Sequence, residues 1–153
     1  MKNIWTVFCQ QSIIDSETNN LSLLNVTEKL EFTMPRDVHK KVLANRENNP
    51  IIVPASFELV SLWEKEKRGN EKADILVELH DSGGVKLRDF IQPIEIKDIY
   101  KRLRFRNRVG EFPVTNSGIY HFAVSVKEEG KKNYKKVSDT PVEIIVNIVD
   151  DRK

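Results

Sequence analysis

The stretch Gly118-Ile119-Tyr120-His121-Phe122-Ala123-Val124-Ser125-Val126 alternates without a break. Tyr120, Phe122, Val124 and Val126 fall on one side, and Ile119, His121, Ala123 and Ser125 on the other. A period of two is the mark of a strand with one face buried, because successive side chains of an extended chain point to opposite sides. The same period recurs outward from this point. Ile75, Val77 and Leu79 alternate before the turn Asp81-Ser82-Gly83-Gly84, whose glycines supply the positive φ of a hairpin. Phe57, Leu59, Ser61 and Trp63 share one face of a strand spanning Ile52 to Lys65, and Val142 to Val149 closes the series. Further strands read at Ile4–Ile14, at Leu21–Phe32 (paired with the first as a long hairpin), at Val85–Ile96 with a bend at Pro93, and at Tyr100–Val109.

Strands recur with turn signals between them, and no strand–helix–strand alternation appears. The pattern predicts an all-β antiparallel sandwich of about seven to nine strands, immunoglobulin-like or C2-like, over residues 1–149 as a single domain. Residues 150–153 read as a frayed tail. One helical insert is expected at about 37–45, between Pro35 and Pro50, capped by Asp37 and carrying Val38, Val42 and Leu43 on its apolar edge. The expected core comprises Trp5, Val7, Phe57, Leu59, Val77, Leu79, Tyr120, Phe122, Val124 and Ile144.

A chain of 153 residues is long enough for one core without covalent staples. With 25 Lys+Arg against 23 Asp+Glu the net charge is +2, so no global field draws the protein to nucleic acid or membrane. Electrostatic function must come from local clusters. Cys9 is the single cysteine, which excludes an intramolecular disulfide and a cysteine-built zinc site. No signal peptide or membrane span is legible, which predicts a reduced cytoplasmic protein and makes the sequon Asn25-Val26-Thr27 inert.

Chemistry is sparse. His39, His80 and His121 lie far apart and form no ligand spacing, so neither a metal nor any other cofactor is expected. His80 beside Asp81 reads as a hairpin end. Cys9 reads as a small buried hydrophobe. Gly83-Gly84 lacks the helix and the lysine of a phosphate loop. Asp81, Asp89 and Asp98 fit no calcium-loop pattern.

The sharpest feature is Tyr100-Lys101-Arg102-Leu103-Arg104-Phe105-Arg106-Asn107-Arg108-Val109. Extended, it places Arg102, Arg104, Arg106 and Arg108 on one face, nearly 7 Å apart in succession, and Leu103, Phe105 and Val109 on the other. That row suits phosphates of a polyanion or carboxylates of a protein partner. The expected reading is nonetheless a solvated face balanced by cross-strand acids such as Glu128 and Glu129, or an edge protected by charge.

Asn116-Ser117-Gly118-Ile119-Tyr120 resembles the stretch that opens a late strand in immunoglobulin-like domains, where the tyrosine hydroxyl ties down a corner. The cysteine usual two positions later is Phe122 here. Phe8 to Asp15 with Leu21 to Val26, Phe57 to Trp63, Asp81 to Gly84 and Gly118 to Phe122 resemble a bacterial family of unknown function. That resemblance implies an intracellular β-sandwich and carries no catalytic residues. The leading expectation is a non-enzymatic interaction module that binds a protein partner or its own copy through a sheet face or edge. The alternatives are a polyanion-binding (nucleic acid) module using the strand 101–108, and an enzyme whose site is assembled from scattered residues.

Overall fold

The computed structural model describes residues 1–44 and 50–149, without the side chains of Val42 and Leu43. Nine strands and one short helix follow in the order β1 (Lys2–Ile14), β2 (Leu21–Val26), β3 (Lys29–Pro35), α1 (Arg36–Ala44), β4 (Ile51–Glu64), β5 (Glu71–His80), β6 (Lys86–Ile96), β7 (Arg102–Val114), β8 (Gly118–Glu128) and β9 (Lys135–Val149). They form two sheets, ordered β2-β1-β4-β7 and β3-β9-β8-β5-β6. The protein is an all-β sandwich. The expected apolar edge at Val42 and Leu43, the helix end at Asn45, the loop before Pro50 and the tail 150–153 lie outside the described residues.

The core sits between the sheets. Trp63, Tyr120, Phe8, Phe112, Ile75 and Ile144 are fully buried. Phe8 is the hub of the aromatic packing, with ring centroids 5.1 Å from Phe57 and 5.0 Å from Phe122. The inner face of β8 is the one its alternation predicts, since Tyr120, Phe122, Val124 and Val126 are all buried. Trp63 satisfies its indole N–H within the core by donating to Ser61 Oγ at 2.8 Å, which explains a serine among large apolar neighbours.

Three expectations need correction. Leu21–Phe32 is not one strand. It breaks at Thr27-Glu28, and its second half crosses to the other sheet, where β3 pairs parallel with β9. The sandwich is therefore antiparallel in every described pairing but that one. Trp5 and Val7 are not in the core. A register shift between Asn3 and Trp5 inserts one residue into β1, and one extra residue reverses the faces of all that follow. Asn3 lies opposite the inward Trp63, whereas Trp5 and Val7 lie opposite Leu62 and Val60 on the outer face. Phe8 takes the inner place. Phe57, also expected in the core, is only partly buried and packs against its margin.

The corner before β8 is held by side chains. The Tyr120 hydroxyl accepts from the backbone N–H of Thr115 (2.9 Å) and Asn116 (3.1 Å) and donates to the Asn116 carbonyl. Thr115 Oγ1 in turn lies 3.1 Å from Asp81 Oδ2, tying the corner to the β5–β6 turn. Gly118 is obligatory there. Its φ is +144°, and a Cβ would come within 2.4 Å of Ser82 Cβ.

Candidate interaction surface

The arginines of β7 share one face, as their spacing dictates. Their cross-strand partners on β4 are Glu64 for Arg102, Leu62 for Arg104, Val60 for Arg106 and Glu58 for Arg108. The balancing acids are therefore Glu58 and Glu64 rather than Glu128 and Glu129. Glu128 instead holds Lys67 and the Met1 amine.

Sequence spacing could not show what lies above this face. The tip of the β1–β2 hairpin folds across it. Arg104 Nη2 donates to the Asn19 carbonyl at 2.6 Å and Nη1 to Asn19 Oδ1 at 3.0 Å. Arg106 Nη2 donates to the Ser12 carbonyl at 3.0 Å and to Glu58 Oε1 at 3.1 Å. Because β4 separates β1 from β7 in the sheet, these bonds require the hairpin to pass over β4. Val60 and Cys9, both on the outer face, are consequently sealed from solvent.

Glu58 is the centre of this cover. It accepts from the Ser12 N–H at 2.8 Å, from the Ser12 hydroxyl and from Arg106. Burial opposes its ionisation, but the Ser12 hydroxyl, Arg106 and the Ser12 N–H outweigh that and hold its carboxyl below the ordinary range. The same burial, with the Glu58 charge nearby, pushes the Cys9 thiol up, away from the thiolate that reactivity needs. Arg102 lies 3.3 Å from Glu64. Arg108 projects furthest, with an 88% exposed side chain against 58% for Arg102 and only a 3.9 Å approach to Glu58.

Arg108 also marks the rim of a cleft where the sandwich opens. β6 and β7 are the edge strands of their sheets on the same side of the molecule. Between them lies a cavity of about 270 Å³ walled by Val77, Leu79, Phe90, Val109 and Phe122. The Arg88–Glu111 ion pair, at 3.0 Å, bridges its rim. Ile91 on β6 and, at the far end of these strands, Ile99 and Tyr100 in the β6–β7 link stand exposed.

The histidines are less scattered than their numbering suggests. His80 and His121 face each other directly across β5 and β8, and His121 Nδ1 lies 3.1 Å from Asp139 Oδ1. Strand pairing alone brings them together, so only a correct register could have found them. The three aspartates considered for calcium are each committed elsewhere. Asp81 caps its own turn through Gly83 and Val85, Asp89 pairs with Lys86, and Asp98 with Lys65. Glu66, Glu71 and Glu128 do converge, with oxygens within 4.8 Å of one another. The Met1 amine occupies their centre at 2.8, 2.5 and 3.0 Å.

No protein-family model matches the chain, and no curated protein matches it.

Proposed function

We propose that the protein is a non-enzymatic interaction module that receives an extended segment of another protein along the edges of β6 and β7. The observation that carries this reading is the apolar cleft between two long edge strands, with the 88% exposed side chain of Arg108 at its rim. An edge strand offers unpaired N–H and C=O groups to an added strand, and a pocket beside it takes alternate side chains of that strand. A cavity of about 270 Å³ suits one anchoring side chain rather than a cofactor.

A foreign strand is favoured over a second copy. Two β7 edges paired about a two-fold axis would set the arginine rows side by side on one face, and like charges placed opposite destabilise a sheet. An acidic residue flanking the anchor would instead meet Arg108. Among the described residues no helix is long and apolar enough to cross a membrane. The lone, buried thiol supports placing the module in the reduced cytoplasm.

The test is selection from a displayed library of random peptides, with amide shifts mapped for the enriched sequences. Peptides alternating apolar and acidic residues, perturbing β6 and β7 and lost on Val109→Lys, are the expected result. Enriched peptides that map elsewhere, or that ignore Val109→Lys, would refute the edge reading.

A further inference from the structure

Most of the arginine row is engaged, and among the described residues a second concentration of positive charge is left without carboxylate partners. It is the segment Lys131-Lys132-Asn133-Tyr134-Lys135-Lys136, which joins β8 to β9 and reads in sequence as an ordinary charged hairpin. Folded, it forms one wall of an open cavity of about 610 Å³, lined by Lys2, Lys131, Lys132, Lys135, Lys136 and Asn133 among others. Lys136 pairs with Asp139 at 2.7 Å. The other four ammonium groups have no carboxylate partner among the described residues.

Acids do stand in the same wall, yet they are already engaged. Glu66 and Glu128 both bind the Met1 amine, and Glu128 also binds Lys67 at 2.9 Å. Lys67 and then the Met1 amine push the Glu128 carboxyl down to about 2. These carboxylates are therefore spent on other cations, and the lysines are left facing one concavity with their mutual repulsion uncompensated.

The loop that carries them is fixed. The Lys131 N–H donates to the Glu128 carbonyl at 3.0 Å. Tyr134 stacks beneath Lys127, whose Nζ lies 4.9 Å from the ring centroid and 3.0 Å from Asp74. Three free ammonium groups on this anchored segment, with Lys2 of β1 across the cavity, form a prearranged receptor for clustered negative charge.

We infer that this cavity binds a small anion carrying two or more linked phosphates. Lysines act as compact point charges and serve phosphate oxygens well, whereas planar bidentate recognition of single carboxylates is the arginine's role. Concavity and volume select the size. A cavity of this volume is the scale of a small-molecule site, while a duplex or a lipid surface would call for a flat or extended basic face. The same chemistry is presented by inorganic tripolyphosphate and by a nucleoside triphosphate.

The experiment is calorimetric titration of the full chain at low salt with inorganic tripolyphosphate, ATP and AMP. One-to-one binding of tripolyphosphate is expected, with AMP much weaker. Equal affinity for ATP and tripolyphosphate means the phosphates alone are read; tighter ATP means the nucleoside adds contacts within the same cavity. The triple variant Lys131→Gln, Lys132→Gln, Lys135→Gln should weaken binding at least about tenfold, the loss expected when charge-assisted hydrogen bonds are removed. Its thermal midpoint should stay near that of the parent, because all three side chains are exposed. A control pair on α1, Lys40→Gln with Lys41→Gln, should leave affinity unchanged. The inference is overturned if tripolyphosphate does not bind, if the triple variant binds as well as the parent, or if the control loses as much. It is also overturned if a short single-stranded oligonucleotide or anionic vesicles bind more tightly than tripolyphosphate.

Discussion

Arg106 and Glu58 meet beneath the β1–β2 hairpin, with Arg106 Nη2 3.1 Å from Glu58 Oε1. The contact joins an edge strand to the strand beside it and, through the Ser12 carbonyl on the same guanidinium nitrogen, to a hairpin two strands away. The arginine row is thus mainly an internal clamp, and its members should not be equivalent.

Arg106→Gln is expected to cost about 1–3 kcal/mol, because it leaves the buried Glu58 carboxylate short of a charged donor. The Arg106 side chain is 34% exposed, which keeps the figure below that of a fully buried pair. Arg108→Gln should change the denaturant midpoint little, since exposed ion pairs contribute little. Equal losses at the two positions in urea unfolding would show that the hairpin does not depend on this pair.

Phe122→Ala should cost roughly 3–5 kcal/mol, the usual range for removing a buried phenylalanine. The ring is 4% exposed and packs on Phe8 and Phe112. A loss below about 1 kcal/mol in chemical denaturation would place Phe122 outside the core.

At the β8 corner, Tyr120→Phe removes the acceptor for two backbone N–H groups and should cost about 1–3 kcal/mol. Gly118→Ala should be worse tolerated than a typical surface substitution, because the Ser82 backbone segment must move to admit its Cβ. Amide exchange at Thr115 and Asn116 should accelerate in Tyr120→Phe well before exchange in β5 or β8.

The Met1 amine gives stability a pH signature at both ends of the range. Burial works against its charge, but Glu66, Glu71 and Glu128 outweigh it and push the amine from 8.0 up to about 10. A raised basic group contributes its stability in full below its unfolded value. That stability is lost as pH rises from about 8 to about 10. Glu128 is the opposite case, lowered from 4.5 to about 2, so its contribution holds above 4.5 and is lost as pH falls towards 2. Thermal midpoints should decline in both windows, and acetylating the amine should abolish the alkaline decline. An alkaline decline that survives acetylation would assign it to another group.

Sequence alone determined the class of this fold and the inner face of its central strands. Alternation in β5 and β8 needs only period two and a buried side, and both are local properties of the chain. The arginines' common face was legible for the same reason, as were the hairpin turn at Asp81–Gly84 and the tyrosine corner, whose residues are neighbours. The break at Thr27-Glu28 and the reversed face of β1 were not legible. A single inserted residue in β1 leaves the hydrophobic pattern nearly intact while turning Trp5 and Val7 outward, and only pairing with β4 reveals it. What covers the arginines, what opens between β6 and β7, and where Lys131 to Lys136 gather were likewise decided by tertiary structure. Each joins residues distant in sequence, such as Arg104 with Asn19 or Lys2 with Lys132. Their energies depend on distance in space, which no spacing along the chain encodes.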